Sequence, residues 1–266
     1  MTRKKRSIRY AKAHAYGNDF LLVCESKDVV SPENLARSIC DRNLGIGADG
    51  LILYRNDVSQ FFMSLFNQDG SFAEVSGNGL RCLGAYLSYS KLTELTRIDV
   101  VTDAGRMQLD LLERNDSRFT FRTDLGAPKK IRTDLFLEVE GRRFKTTTLS
   151  MGNPHCVVFE DLEELSVVGP VMSNHPHFLH KTNVELVQVM NEYAIRVAIW
   201  ERGVGPTASS GTGSAAAAVA ALMTGEVKSP VQVHCPGGML EVYWEEGQHV
   251  MVTGDAVVVS EGVYLG

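Results

Sequence analysis

Residues 61–90, FFMSLFNQDGSFAEVSGNGLRCLGAYLSYS, and residues 194–223, AIRVAIWERGVGPTASSGTGSAAAAVAALM, follow one pattern. Each stretch runs from an apolar strand through a glycine-containing turn to a Ser-Gly-x-Gly corner, followed by a helix of small residues. The two corner serines, Ser76 and Ser210, lie 134 positions apart in a chain of 266 residues. A repeat at half the chain length indicates an internal duplication of whole domains.

Other landmarks repeat at the same interval. Gly17-Asn18 and Gly152-Asn153 lie 135 positions apart. Asn67 precedes the first corner serine by nine positions, and Glu201 precedes the second by nine. These matched spacings predict that the two Gly-Asn landmarks have the same function in the two halves. They predict the same of the two corners.

The hydrophobic patterns predict an α+β protein of two pseudo-symmetric domains, each a mostly antiparallel sheet or barrel wrapped around a central helix. The expected domains are residues 1–124 and 125–266, and the last strand can return to the first domain. The central helices are predicted over 77–89 and 211–223, where runs of Gly and Ala suit tightly enclosed positions. A further helix is predicted to begin at Ser31-Pro32 and to stop near Gly45.

Composition excludes several classes of protein. The chain is 44% hydrophobic, carries a formal net charge of −5 and has no apolar run near the ~20 residues of a membrane span, so neither nucleic acid nor a membrane is an expected partner. The basic start, MTRKKRS, predicts a solvated tail and not a signal peptide. Five cysteines without a CxxC pair indicate a reducing, cytoplasmic location, and no metal site and no nucleotide-binding motif are expected.

The corners themselves have two interpretations. The first N–H groups of a helix have no acceptor within the helix and attract anions, so Ser76 and Ser210 could lie beside a bound carboxylate. Serine is also a favoured N-cap residue, so each corner could be purely structural. Two corners at matched spacing favour a site.

The motifs GNDF, CDRNLGIGADGLIL, FNQDGSFAE, SGNGLRC, MGNPHCVVF, TNVEL, WERGVGPT and SGTGSAAAAVAA resemble, in order and across nearly the whole chain, those of the diaminopimelate epimerase family. The resemblance implies two pseudo-symmetric halves with the active site between them, and a homodimer. It also implies a cofactor-independent epimerisation in lysine and peptidoglycan-precursor biosynthesis. One base removes the α-proton of an amino acid from one face while an acid delivers a proton to the other, and in the family both groups are cysteines.

This chain departs from the family at both cysteines, because Ser76 and Ser210 stand at those positions. A thiol has a pKa of about 8.5, and the pKa of a water-like hydroxyl is far higher, so ionising serine costs on the order of 10 kcal/mol more. A helix N-terminus recovers about 0.3–2 kcal/mol of this. Two-thiol epimerisation is therefore expected to be severely reduced or abolished.

Three explanations remain open at this point. The chain could carry engineered Cys-to-Ser changes at both sites, or it could be a natural relative that performs an isomerisation with another base. It could also bind an amino acid without catalysis. Cys82 and Cys156 are not expected to replace the missing thiols, because their predicted positions suit packing.

The resemblance assigns further residues of the site. Catalytic roles fall to Ser76 and Ser210, with His155 and Glu201 as the groups that assist them. If the chain has its own chemistry, His155 and Glu201 are expected to move the proton, and Glu74, two positions before Ser76, is a weaker candidate for this role. Arg202 matches a guanidinium that binds the distal carboxylate of a diaminopimelate-like amino acid. The remaining substrate-binding candidates are Asn18, Asn67, Gly77, Asn78, Asn153, Asn183, Gly211 and Thr212.

Overall fold

The structure is a computed structural model that describes residues 7–27, 29–57, 60–73 and 76–266. The predicted basic tail, apart from Ser7, and the candidate Glu74 lie outside the described residues. The chain divides into two compact units: unit 1 is Met1–Thr123 with Asp255–Gly266, and unit 2 is Asp124–Gly254. Within the described residues, no helix is both long enough and apolar enough to cross a membrane.

Unit 1 is built on strands that surround one helix. Its elements in chain order are β1 (Ile8–Ala15), β2 (Asn18–Cys24), α1 (Pro32–Ile39), β3 (Gly50–Asp57), β4 (Gln60–Asn67), β5 (Phe72–Ala73), α2 (Gly77–Tyr89), β6 (Arg97–Thr102), β7 (Gly105–Asn115) and β8 (Arg118–Asp124). The last strand of the chain, β17 (Met251–Tyr264), pairs with both β1 and β8, which closes a barrel of eight strands with β2, β3, β4, β6 and β7.

Helix α2 lies in the core of this barrel. A Cβ added at Gly84 would come within 2.8 Å of Leu109 Cδ1 and 3.1 Å of Phe121 Cζ, so only a residue without a side chain fits this contact. Leu80, Leu83 and Leu87 are all fully buried. Burial of one such side chain stabilises the fold by about 1.5–3 kcal/mol. The leucines therefore stabilise α2 in the enclosed position that the small-residue pattern predicts.

Unit 2 has the same kinds of element around a second helix. They are β9 (Lys129–Val139), β10 (Arg142–Ser150), β11 (Pro154–Phe159), a 3-10 turn (Leu162–Glu164), α3 (Leu165–Ser173), β12 (Asn183–Asn191), β13 (Ala194–Glu201), β14 (Gly205–Thr207), α4 (Gly211–Thr224), β15 (Val231–Cys235), β16 (Gly238–Tyr243) and the start of β17. The alanines of α4, from Ala215 to Ala221, are fully buried, as the absence of any polar face predicted.

Strand pairing repeats between the units and confirms the predicted fold class. In unit 1 the pairs β2–β3 and β4–β6 are parallel. The pairs β1–β17, β1–β2, β3–β4, β6–β7 and β7–β8 are antiparallel. In unit 2 the parallel pairs are β11–β12 and β13–β15, at the corresponding places. In each unit the corner helix follows a short strand and precedes the second parallel pairing.

Two local predictions were wrong. Helix α1 ends at Ile39 and not near Gly45, because the Asp41 carboxylate accepts the N–H groups of Asn43 and Leu44 and holds a turn there. The apolar run FLLVC over 20–24 predicts a buried cysteine at its end, because a free cysteine is usually a small buried hydrophobe, but Cys24 is exposed.

Candidate active site

Both corner serines cap their helices with the same geometry. Ser76 has φ −131° and ψ 125°, and its Oγ accepts the N–H of Gly79 at 3.1 Å. Ser210 has φ −139° and ψ 127°, and its Oγ accepts the N–H of Gly213 at 3.3 Å. Each hydroxyl therefore lies at a helix N-terminus, where the partial positive charge of the helix favours an anion.

The earlier Gly-Asn landmark of each half lies against the corner of the same unit. In unit 1, Asn78 Nδ2 donates to Asn18 Oδ1 at 3.1 Å. In unit 2, Asn153 Nδ2 donates to Thr212 Oγ1 at 3.4 Å. Asn78 and Thr212 each stand two positions after the corner serine, so the two landmarks that repeat in the sequence make one equivalent contact in each unit.

An ionic cluster holds Asn18 in unit 1. Asn18 Nδ2 donates to Asp49 Oδ2 at 2.9 Å, and Arg42 Nη2 bridges Asp49 Oδ1 at 2.7 Å and Asp19 Oδ1 at 2.8 Å. Lys12 Nζ lies 2.9 Å from Asp19 Oδ2. Burial opposes ionisation of Asp19, but hydrogen bonds from Arg42 and Lys12 outweigh it and lower the pKa of this carboxyl. The cluster keeps the Asp19 carboxylate charged and the Asn18 amide in one orientation.

A buried arginine holds Asn78 from the other side. Arg81 is fully buried, and its Nη2 donates to Asn78 Oδ1. Its Nε and Nη1 have no hydrogen-bond partner among the described residues. Burial lowers the pKa of this guanidinium. A cation therefore lies inside the barrel, one helical turn from the Ser76 corner.

In unit 2 the corner is backed by a histidine and a glutamate. His155 Nε2 lies 2.8 Å from Asn153 Oδ1, and His155 Nδ1 lies 2.7 Å from Glu185 Oε1. Both side chains of the His155–Glu185 pair are fully buried. Burial raises the pKa of Glu185, and His155 opposes that shift. In the motif TNVEL the sequence assigns only Asn183 to the site. Glu185 belongs to the same motif, and a glutamate inside an apolar strand is a signal that could have identified it.

The remaining candidates lie at strand ends. Asn67 and Glu201 end the matched strands β4 and β13. Asn67 Nδ2 donates to Ser71 Oγ at 2.9 Å within its own turn. Asn183 Oδ1 accepts the N–H of Arg202 at 2.9 Å, which places the guanidinium-bearing residue beside the start of β12.

Gly77 and Gly211, which directly follow the corner serines, are buried, and the Arg202 side chain is exposed and donates through Nη1 to His180 O at 3.1 Å.

The cysteines of the described residues do not replace the missing thiols. Cys82 and Cys156 are fully buried, and burial raises the pKa of both thiols, so both are inert packing residues as predicted. Cys235 Sγ lies 3.4 Å from Ser214 Oγ, and burial raises its pKa as well. A protonated thiol in such surroundings is a poor base.

Comparison with known proteins identifies the family. A family model described as diaminopimelate epimerase matches residues 10–131 and 147–259. The diaminopimelate epimerase of Pelotomaculum thermopropionicum is 40% identical over 276 residues, covering 97% of this chain and 99% of the relative. That of Synechococcus elongatus is 39% identical over 278 residues, covering 96% of this chain and 98% of the relative.

Solved structures support the same fold at lower sequence identity. A hydroxyproline epimerase from Agrobacterium vitis aligns with a TM-score of 0.74 at 15% identity, covering 99% of this chain and 94% of that one. A phenazine biosynthesis protein from Bacillus anthracis aligns with a TM-score of 0.75 at 14% identity, covering 97% of this chain and 99% of that one. The family model, the full-length relatives, the repeated strand pairing of the two units and the helix-capping corners place this chain in the diaminopimelate epimerase family.

Proposed function

We propose that this protein transfers protons at the α-carbon of diaminopimelate, without a cofactor, and that serine at both corners makes the turnover slow. The observation that carries this proposal is the matched pair of caps, in which Ser76 Oγ and Ser210 Oγ occupy equivalent places at two helix N-termini. The names of the full-length relatives supply the substrate.

The chemistry of the caps supports slow turnover. Each Oγ accepts a backbone N–H, which leaves the hydroxyl proton to be donated outward. Serine can therefore bind a substrate group as a hydrogen-bond donor. Ionisation, which a base requires, remains on the order of 10 kcal/mol less favourable than for a thiol, and a helix terminus recovers about 2 kcal/mol at most.

Other residues have proposed roles in this reaction. Asn18, Asn78 and Asn153 have their amides held at the corners and would bind the amino and carboxylate groups at the α-carbon. The proposed companions in substrate binding are Asn67, Asn183, Thr212 and the main chain at Gly77 and Gly211. Arg202 would pair with the distal carboxylate, because a guanidinium binds a carboxylate through two hydrogen bonds. His155 and Glu201 would assist proton movement at the second corner.

The cellular location and the oligomeric state of the protein are also proposed. Every cysteine of this chain lies in the described residues and is free, which supports a reducing, cytoplasmic location. A homodimer is proposed from the family resemblance.

Solvent-deuterium exchange tests the proposal. LL- and meso-diaminopimelate would be incubated in D₂O with the native chain and with Ser76→Cys/Ser210→Cys, and the loss of the α-proton signal would be followed by NMR. We expect the cysteine form to exchange at least about 1,000-fold faster than the native chain, which is well within the difference in thiol and hydroxyl ionisation. Ser90→Cys/Ser260→Cys is the matched control, because it adds two thiols away from the corners.

Either of two results would overturn part of the proposal. Exchange by the native chain at the rate of the cysteine form would mean that another base works. Absence of exchange in both forms would mean that diaminopimelate is not the substrate.

A further inference from the structure

A carboxylate lies inside unit 2 with no role in the reaction assigned to it. Glu185 belongs to strand β12, between the buried residues Val184 and Leu186, and its side chain is fully buried. Its Oε2 has no hydrogen-bond partner among the described residues. A buried polar atom without a partner destabilises a fold by about 1–3 kcal/mol, so stability does not explain a glutamate at this position.

Contacts connect this carboxylate to the second corner. Glu185 Oε1 lies 2.7 Å from His155 Nδ1, and His155 Nε2 lies 2.8 Å from Asn153 Oδ1. Asn153 Nδ2 then donates to Thr212 Oγ1, two positions after Ser210. The result is a continuous series of hydrogen bonds from the core to the corner.

The same carboxylate also lies directly against the corner helix. A Cβ added at Gly213 would come within 3.1 Å of Glu185 Oε1 and 3.2 Å of Ser210 Cβ. The glycine of the Ser-Gly-Thr-Gly corner therefore leaves room for the carboxylate as well as for the turn.

The distribution of protons in this series is restricted. Both ring nitrogens of His155 face oxygen atoms, so a hydrogen must lie between each nitrogen and its neighbour. Either the ring carries both protons beside a carboxylate, or Glu185 is protonated and donates to Nδ1. In both arrangements Nε2 carries a proton, the pair has no net charge, and the Asn153 oxygen is fixed towards His155.

We propose that Glu185 is a positioning residue that holds His155 with a proton on Nε2, and thereby fixes the Asn153 amide group towards the second corner. Burial raises the pKa of Glu185, which agrees with a pair without net charge. The effect on turnover rests on the proposed function, whereas the position of the proton does not.

Two substitutions separate positioning from charge. Glu185→Gln can still hydrogen-bond to Nδ1 but cannot ionise, and Glu185→Met has a similar length but cannot hydrogen-bond to the ring. Glu192→Gln is the matched control, because Glu192 is an exposed glutamate that pairs with Lys228 in the same unit.

The first readout is ¹⁵N NMR of the histidine rings in the native chain, with the His155 signals assigned through His155→Asn. We expect a protonated Nε2 with slow hydrogen exchange in the native chain, in Glu185→Gln and in Glu192→Gln, and loss of this single state in Glu185→Met. An unprotonated Nε2 in the native chain, or an unchanged His155 spectrum in Glu185→Met, would overturn the proposal.

The second readout is α-proton exchange in the Ser76→Cys/Ser210→Cys background. We expect Glu185→Met to lower kcat/KM at least about 10-fold and Glu185→Gln to recover at least a third of the rate. Equal losses in both variants would show that charge and not positioning matters. If the cysteine background itself did not exchange, the proposed function would fail, while the NMR result would still decide the role of Glu185.

Discussion

Replacement of Arg81 by methionine is expected to stabilise unit 1. The Arg81 guanidinium is fully buried, and its Nε and Nη1 have no partner among the described residues. Its one hydrogen bond within that part of the chain goes from Nη2 to Asn78 Oδ1. A buried cation with incomplete pairing is costly, and apolar residues of similar size commonly replace such groups with a gain in stability.

The expected magnitude follows from these contacts. Relief of two unpartnered N–H groups contributes about 2–6 kcal/mol, at about 1–3 kcal/mol each. Loss of the hydrogen bond to Asn78 costs about 1–3 kcal/mol, because the donor is charged and the acceptor loses a partner. The central values of these two ranges differ by about 2 kcal/mol, so we expect a gain of about 1–3 kcal/mol in the free energy of unfolding of unit 1.

Native-state hydrogen exchange of peptides from α2 measures this quantity, since their slow amides report opening of unit 1. A gain of about 1–3 kcal/mol slows their exchange about 5- to 150-fold. Both tryptophans, Trp200 and Trp244, lie in unit 2, so their fluorescence in urea reports on that unit, and exchange of α2 is the readout for unit 1. Arg97→Met is the matched control: Arg97 is an exposed partner of Asp110, and a surface ion pair contributes little to stability, so exchange of α2 should stay close to that of the unaltered chain. Faster exchange of α2 in Arg81→Met would show that the buried guanidinium stabilises unit 1.

Three further outcomes follow from the described contacts. Ser210→Ala removes the acceptor for Gly213 N–H and should lower the free energy of unfolding by about 1 kcal/mol in urea titrations; no change would show that the cap adds nothing. Asp19 has a lowered pKa in the folded chain, so its stabilising effect is present above its ordinary pKa of about 3.9 and is lost as pH falls through the folded value. Asp19→Asn should therefore flatten the fall in stability below about pH 4, and an unchanged acid transition would contradict this. Iodoacetamide should label exposed Cys24 and leave buried Cys82 unlabelled until the protein unfolds, as peptide mass spectrometry would show; early labelling of Cys82 would count against its burial.

Several features of this protein follow from short-range sequence patterns. The duplication is visible because Ser76 and Ser210, with their flanking glycines, stand at matched distances from Asn67 and Glu201. The two core helices were predictable because each is rich in small and apolar residues and has no continuous polar face to present to solvent. Helix α2 spans Gly77–Tyr89, as the pattern indicated.

The charged groups behind the corners were not predictable in the same way. Arg81 and Glu185 are residue types that are almost never fully buried without a partner. Residue type alone therefore predicts that their side chains are exposed to solvent. Their burial follows from long-range packing: α2 is enclosed by the barrel of unit 1, and β12 is an inner strand of unit 2. The partner of Glu185, His155, lies 30 positions away and pairs with it across two neighbouring parallel strands.

In the proposed function each corner holds one of two proton-transfer positions, and serine disables both. The single variants Ser76→Cys and Ser210→Cys restore one position at a time, with deuterium incorporation at the α-carbon of LL- and meso-diaminopimelate measured separately. We predict that each single variant exchanges one configuration of the α-carbon, that the two variants differ in which one, and that only the double variant interconverts the isomers rapidly. Rapid interconversion by the native chain, or the same configuration exchanged by both single variants, would contradict the account.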